Sequence, residues 1–315
     1  AIQVWGSDEA EISGLAFDSR DVQKGNLFFA VSGTVSDGHD YIGMAVDKGA
    51  AAIVCERMPE APVPGITYIQ VSDSAQALGE MASAYYDNPS RDLKLVGVTG
   101  TNGKTTIATL LYDMFRGLGY KCGLVSTTSY RIDNEFIPST HTTPDPVRLN
   151  EMMSRMVGAG CDYCFMEVSS HSVVQKRIAG LRFAGGIFTN ITHDHLDYHG
   201  TFAEYIRAKK TFFDGLPRTA FAITNSDDRN GKVMVQNTKA EIKSYSLKSF
   251  SDFKCRIMEA TPEGMLLELD GEQVWTKFIG RFNALNLTAV YAASLMLGAE
   301  KDEVLKVLST LTPVR

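Results

Sequence analysis

The sequence predicts an α/β fold in two parts, a small α/β domain followed by a larger, mainly parallel sheet with antiparallel strands added at its edge. Three observations predict it. Short apolar runs alternate with helix-period stretches over most of the chain, the pattern of strands joined by crossover helices. One of those runs, Leu95-Val96-Gly97-Val98, leads into a glycine-rich loop, Gly100-Thr101-Asn102-Gly103-Lys104-Thr105-Thr106, and then into a helix-like segment over 107–115. After Ser244 the text changes to alternating segments with a turn at Thr261-Pro262-Glu263-Gly264, as antiparallel strands require.

Taken in order, strands are expected at 27–31, 51–55 and 67–71, and helices at 41–48 and 74–86. They make the small domain. Asn88-Pro89-Ser90-Arg91-Asp92 combines turn formers and charges just before the loop-bearing strand, so the boundary is placed there. It gives domains of 1–90 and 91–315. In the second, strands at 95–98, 121–125, 163–168, 186–189 and 220–224 alternate with helices. A parallel sheet of that kind binds ligands at the C-terminal ends of its strands. Segments 284–297 and 301–311 read as closing helices.

Composition narrows the function classes. With 315 residues, 44% of them hydrophobic, the chain can fill two cores. A net charge of −6 argues against nucleic acid or an anionic membrane surface as the main partner. No apolar run reaches spanning length, and the start, Ala1-Ile2-Gln3-Val4-Trp5, has neither a basic nor an apolar signal region. A cytoplasmic, monomeric protein is expected. The chain lacks an initiator Met and ends at Thr312-Pro313-Val314-Arg315 without a closing element, so it reads as missing a C-terminal portion. Five scattered cysteines do not make a disulfide framework. Cys161-Asp162-Tyr163-Cys164 has no second ligand pair to complete a metal knuckle, so core thiols are expected.

The loop 100–106 carries the chemistry of a P-loop. Its glycines let backbone N–H groups approach phosphate oxygens, Lys104 supplies charge near the β and γ phosphates, and the Thr105 hydroxyl can ligate Mg²⁺. ATP binding is therefore expected. The spacing is not the usual one and implies a shortened subclass: five residues lie between Gly97 and Gly103-Lys104 and two between Gly100 and Gly103-Lys104, where the common loop has four. A glycine turn before a helix is the plain alternative.

Other candidates follow strand ends. Glu167 closes the apolar run Cys164-Phe165-Met166 and can reach an ATP-bound Mg²⁺, or it can be a salt-bridged carboxylate. Three histidines, His193, His195 and His199, fall within seven residues after the run 186–189. They suit a second divalent ion or phosphate, or simply a polar loop. In the helix over 201–213, Phe202, Tyr205, Ile206, Phe212 and Phe213 form an apolar face with Lys209 near its centre. A lysine held neutral there can take up CO₂ as a carbamate; a snorkelling stem or an ion pair are the alternatives. His141-Thr142-Thr143-Pro144-Asp145 and Ser169-Ser170-His171 through Gln175-Lys176-Arg177 suit an anionic, hydroxyl-rich second substrate, and Asp18-Ser19-Arg20 has the same character.

Taken together, the loop 100–106, Glu167-Val168-Ser169-Ser170-His171, Asn190 through Asp197 and Tyr205-Ile206-Arg207-Ala208-Lys209 resemble the Mur ligase family over nearly the whole chain. Asp18-Ser19-Arg20, Thr142-Thr143-Pro144 and Ser169 to Arg177 resemble its third-step branch. That resemblance implies ATP-dependent addition of a diamino acid, meso-diaminopimelate or L-lysine, to the D-Glu γ-carboxylate of UDP-N-acetylmuramoyl-L-alanyl-D-glutamate through an acyl phosphate. It makes the first domain the UDP-binding one. It implies that carbamylated Lys209 (N6-carboxylysine) and His195 hold one Mg²⁺ and that Thr105 and Glu167 hold another. It puts Ser19 at the uridine end, Thr142, Thr143, Ser169, Gln175 and Arg177 on the peptide and sugar, and Asn283 and Asn286 near adenine.

Two departures stand out. His141 occupies a place where many family members have Asn, and the sequence, ending at Arg315, is expected to lack the third, acceptor-binding domain that the resemblance implies. Rival readings are another ligase of the superfamily such as a folylpolyglutamate synthase, a P-loop kinase, and a nucleotide-dependent binding protein without catalysis. The last leaves Lys209 and the histidines without a task.

Overall fold

The structure, a computed structural model, describes residues 3–7, 9–33, 36–139, 141–192 and 201–314. The chain forms two compact units. One gathers Ala1–Asn88 with the later segments Asp145–Glu151 and Gln175–Leu181; the other gathers Pro89–Pro144, Met152–Val174 and Arg182–Arg315. The two later segments in the first unit have no counterpart in a linear reading of the sequence.

The first unit is built on β1 (Gln3–Trp5), β2 (Gly14–Ala16), β3 (Asn26–Phe29), β4 (Ala52–Cys55) and β5 (Thr67–Gln70), in the order β1-β5-β4-β3-β2. Strands β2 to β5 are parallel, and only β1 runs antiparallel to its neighbour. Every residue of β3 and β4 is buried, because side chains alternate between two covered faces. Phe28 and Ile53 pack with Ile42 and Ala45 of the helix Ile42–Asp47, while Phe29 and Val54 pack with Ala77 and Leu78 of the helix Ser74–Tyr85. That second helix starts where the Asp73 side chain accepts the Gln76 N–H at 2.8 Å, a side-chain N-cap.

The second unit contains β6 (Lys94–Thr99), β7 (Cys122–Val125), β8 (Ser129–Ile132), β9 (Glu135–Pro138), β10 (Tyr163–Glu167), β11 (Gly185–Phe188), β12 (Phe221–Asn225), β13 (Glu241–Ser246), β14 (Phe253–Thr261), β15 (Gly264–Leu269) and β16 (Glu272–Thr276). Their order is β16-β15-β14-β13-β12-β11-β6-β10-β7-β8-β9. The strands from β7 through β14 in that order pair parallel. Antiparallel strands close both edges. The one at β14-β15-β16 turns at residues 261–264, as expected. The hairpin β8-β9 on the opposite edge was not expected from sequence, although Asp133, with φ +50°, and Asn134 at its turn carry the usual signal.

One face of this sheet is aliphatic and aromatic. Val96, Val98, Phe165, Ile187 and Ile223 pack with Ile107, Leu111 and Phe115 of the helix Lys104–Gly117 and with Val290 and Tyr291 of the helix Arg281–Met296. The other face carries a device that positions the site. Gly97 of β6 and Gly186 of β11 are paired in register, and a Cβ on either would stand 2.6 or 2.8 Å from the ring of Phe212. The glycine pair is a trough into which Phe212 settles. It draws the helix Phe202–Asp214 onto the sheet, so Lys209, one turn before Phe212, faces the end of β6. The helix begins with a capping box between Thr201 and Glu204.

Candidate active site

The loop 100–106 leaves β6 and enters the helix Lys104–Gly117. Gly103 sits at φ +89°, a left-handed conformation that favours glycine. A Cβ there would lie 2.8 Å from Oδ1 of Asn286, so the helix Arg281–Met296 is packed directly against the loop. Asn283, a turn earlier, is half-buried and donates from Nδ2 to the Ile279 carbonyl at 2.9 Å.

The segment after β11 clamps the loop from the other side. Thr101 N–H donates to Asn190 O at 2.8 Å, and Asn102 N–H to Asn190 Oδ1 at 3.0 Å. Thr189 Oγ1 and Asn190 Nδ2 both donate to Asn102 O, at 2.7 and 3.1 Å. The clamp is itself held, since Asn225 Nδ2 donates to Thr189 O at 2.7 Å and Asp228 Oδ2 accepts Ile191 N–H at 2.9 Å. These bonds satisfy the early loop groups. The first-turn amides of the helix at Lys104, Thr105 and Thr106 point along its axis, where an α-helix has no internal acceptor for them. An anion is attracted to such an end.

Two lysines converge here. Lys104 Nζ donates to Gly100 O at 3.0 Å and to Thr101 O at 2.8 Å. Lys209 Nζ donates to the same Gly100 O at 2.9 Å and lies 4.7 Å from the centre of the Tyr205 ring. Lys209 is 1% exposed. Burial, and then the charge of Lys104, push its pKa well below the ordinary lysine value. Burial also lowers Lys104, against the opposing pull of Glu167. The inward direction expected for Lys209 is therefore observed, and no acidic side chain among the described residues lies within ion-pair distance of it.

Glu167 ends β10, next to β6, and is 1% exposed. Its Oε1 accepts the Thr127 N–H at 2.7 Å, and its main-chain oxygen accepts from Thr143 Oγ1 at 2.9 Å. Among the described residues it forms no ion pair. An unpaired buried carboxylate beside a phosphate loop is an oxygen donor suited to a hard divalent cation. No cluster of three or more His, Cys, Asp or Glu among the described residues forms a metal cage. Mg²⁺ held by one or two protein groups and by phosphates needs none.

The substrate candidates fall in separate places. Thr142 accepts from Thr127 Oγ1 at 3.0 Å, close to Glu167. Ser169 caps the short helix Ser170–Val174, its Oγ accepting the Ser172 N–H at 3.1 Å. Gln175 and Arg177 belong to the segment grouped with the first unit, where Arg177 Nε donates to Gln175 Oε1 at 2.9 Å. Ser19, also in the first unit, lines a cleft of about 460 Å³ with Phe17, Arg20, Phe28, Tyr41 and Met44. Its hydroxyl is 3.3 Å from Met44 Sδ. Asp18 takes a bidentate bond from Arg20, at 2.9 Å from Nε and 2.5 Å from Nη2. That bond holds the Asp18 pKa at about 2. The histidine cluster, His195 included, lies outside the described residues. All five cysteines are buried free thiols, and burial raises Cys161 and Cys164.

Sequence reasoning missed Thr127, Asn190 as a clamp, and Asp228. For Thr127 the available signal was its place, directly after the apolar strand β7, where the other site residues also sit.

Residues 98–294 match the Mur ligase middle domain, and residues 11–86 match a Mur ligase family catalytic domain. The chain is 58% identical, over 99% of its length and 64% of the relative's, to UDP-N-acetylmuramoyl-L-alanyl-D-glutamate–2,6-diaminopimelate ligase of Phocaeicola vulgatus. It thus spans 64% of the length of that curated relative. A solved structure of a ligase of the same name superposes with a TM-score of 0.86 at 26% identity, over 96% of this chain and 63% of that one. In fold alone it also resembles the MurF ligase of Thermotoga maritima in complex with ADP, at a TM-score of 0.64 and 21% identity over 98% of this chain and 68% of that one. With the loop, the paired lysines and the strand-end carboxylate all in the matched region, the chain belongs to the Mur ligase family.

Proposed function

We propose that this chain is the nucleotide- and substrate-binding part of a cytoplasmic ligase of peptidoglycan precursor synthesis. It would join a diamino acid to the D-Glu γ-carboxylate of UDP-N-acetylmuramoyl-L-alanyl-D-glutamate at the expense of ATP. The observation that carries this reading is the convergence of Lys104 and Lys209 on the Gly100 carbonyl at a helix N-terminus, with Glu167 buried at the end of the neighbouring strand. The name of the similar Phocaeicola vulgatus enzyme makes 2,6-diaminopimelate the acceptor to test before L-lysine.

In this reading the γ-carboxylate oxygen attacks the terminal phosphorus of ATP, the bond to the bridging oxygen breaks, and ADP leaves. The amine of the diamino acid then attacks the acyl carbon and loses a proton as inorganic phosphate departs. Lys104 and the first-turn amides hold the ATP phosphates, while Asn283 and Asn286 face the base. Ser19 takes the uridine end of the other substrate; Thr142, Thr143, Ser169, Gln175 and Arg177 take its sugar and peptide. Thr105 and Glu167 would hold Mg²⁺, which when bound supplies charge to offset that gathering on the transferred phosphoryl group. The lowered pKa of Lys209 supports an uncharged amine that adds CO₂ and releases a proton, leaving an anionic carbamate. That carbamate, with His195, would hold a second Mg²⁺.

Calorimetric titration with UDP-N-acetylmuramoyl-L-alanyl-D-glutamate tests the substrate. Micromolar binding that Arg177→Ala abolishes is the expected result, and no binding by the folded chain overturns the assignment. For the carbamate, carbon-13 bicarbonate should produce a carbamate resonance that Lys209→Ala lacks.

A further inference from the structure

Thr127 lies in the short connection between β7 and β8, and three of its groups are engaged. Its N–H donates to Glu167 Oε1 at 2.7 Å, its hydroxyl donates to Thr142 Oγ1 at 3.0 Å, and its carbonyl accepts from the Ser139 hydroxyl. The carboxylate proposed to face the ATP phosphates and the threonine proposed to touch the peptide are therefore joined through one residue.

The surroundings make that connection stiff. The hairpin β8-β9 is tied at its turn to the helix that leaves the phosphate loop, with Arg116 donating to Asp133 Oδ1 at 2.7 Å and to Asn134 Oδ1 at 2.8 Å. Tyr112 OH donates to Asp133 O at 2.5 Å. At the other end, Tyr130 OH donates to His141 O at 2.5 Å and accepts the His141 N–H at 3.1 Å. Thr143 adds a direct bond from the same polypeptide stretch to the Glu167 carbonyl, at 2.9 Å. A displacement of Thr142 thus has a short, rigid route to Glu167.

Hydrogen-bond direction gives the route its chemistry. Because the Thr127 hydroxyl donates to Thr142, the Thr142 proton is left to donate elsewhere, and a carboxylate or carbonyl of the substrate would accept it. Such chains strengthen cooperatively when an anion binds at the end. At the other terminus the Thr127 N–H engages Oε1 and leaves Oε2 for a cation.

We propose that Thr127 is a positioning residue that couples the two substrates: peptide bound at Thr142 orients the Glu167 carboxylate through Thr127, and Mg²⁺-nucleotide bound at Glu167 orients Thr142 in return. This rests on the ligase reading above. Reciprocity is a thermodynamic requirement of any such coupling.

The test is a pair of calorimetric titrations of UDP-N-acetylmuramoyl-L-alanyl-D-glutamate, with and without saturating Mg²⁺ and a non-hydrolysable ATP analogue. In the wild type the nucleotide should tighten substrate binding by about fivefold or more. Thr127→Val, which keeps shape and main-chain N–H but removes the hydroxyl, should bring that factor close to one, and Thr127→Ser should restore it. A folded Thr127→Val protein with full coupling overturns the proposal, as does a wild type that binds both ligands without coupling. Should the valine variant not fold, the Thr127 amide resonance of the wild type decides: it must shift when the UDP substrate is added alone, and a stationary signal is a refutation. A wild type that binds neither ligand removes the ligase reading itself, and the coupling with it.

Discussion

The phosphate loop and the Ser19 cleft both follow the ends of parallel strands, yet they are held by opposite kinds of contact. The loop is fixed by side-chain-to-backbone hydrogen bonds from Thr189, Asn190 and the buried Lys209, and by a left-handed glycine pressed against Asn286. The cleft has an exposed ion pair at its rim, with the Arg20 side chain 83% exposed, and apolar walls at Tyr41 and Met44 that are themselves 41% and 45% exposed. The difference teaches how each would bind. A prearranged loop presents dipoles and charge without reorganising, whereas an open cleft with exposed side chains gains by burying its own apolar surface when a ligand arrives.

Substitutions can break or sharpen this contrast. The largest effect is expected from Lys104→Met, which removes the charge proposed to bond the ATP phosphates and should weaken nucleotide affinity roughly a hundredfold, about 3 kcal/mol, in calorimetry. Undiminished affinity would mean that the loop is only a turn. Next comes Lys209→Met. Burial lowers the native pKa of Lys209, so the unfolded chain binds a proton that the folded chain does not. Stability therefore rises with pH from that lowered value up to the ordinary lysine value near 10.5. In CO₂-free buffer Lys209→Met should flatten that limb and stabilise the fold by roughly 1–3 kcal/mol. A destabilised variant would show that the bonds of the Lys209 amine outweigh the cost of its burial.

Gly103→Ala should cost about 1–2 kcal/mol in denaturant melts, because φ +89° is unfavourable for alanine and the new methyl crowds Asn286. The smallest effect belongs to the cleft. Arg20→Ala should raise the Asp18 pKa from about 2 toward its ordinary 3.8, read by carboxyl NMR, with no measurable change in melting temperature near neutrality. Since the native value is depressed, the Asp18 contribution is present above 3.8 and lost as the pH falls through about 2. If Arg20→Ala destabilised the protein as much as Gly103→Ala, the division into a rigid and an adaptable site would fail.

Much of both regions was legible beforehand. The helix over 74–86 was readable because Asp73 caps it and its apolar spacing is regular, and the structure ends it one residue earlier, at Tyr85. Lys209 could be turned inward from periodicity alone, since Phe212 and Tyr205 fix the buried face of its helix. The hairpin β8-β9 was harder, because its exposed strand β9, Glu-Phe-Ile-Pro, lacks a clean alternation of buried and exposed residues. Thr127 gave no local sign of its role. A threonine in a polar turn looks the same whether its amide meets water or a carboxylate forty residues away.

The sequence by itself determined the alternation of most strands and helices, the phosphate loop and the inward face of Lys209, because those follow from backbone sterics and from periods of two and 3.6 residues acting over short stretches. Only the tertiary structure decided that Lys209 joins Lys104 on the Gly100 carbonyl, 109 residues from Lys209 in the chain, and that the segments Asp145–Glu151 and Gln175–Leu181 group with the first unit. Those outcomes depend on how sheet and helices pack. Here a pair of small residues, Gly97 and Gly186, admits the Phe212 ring and so sets where a distant helix delivers its lysine.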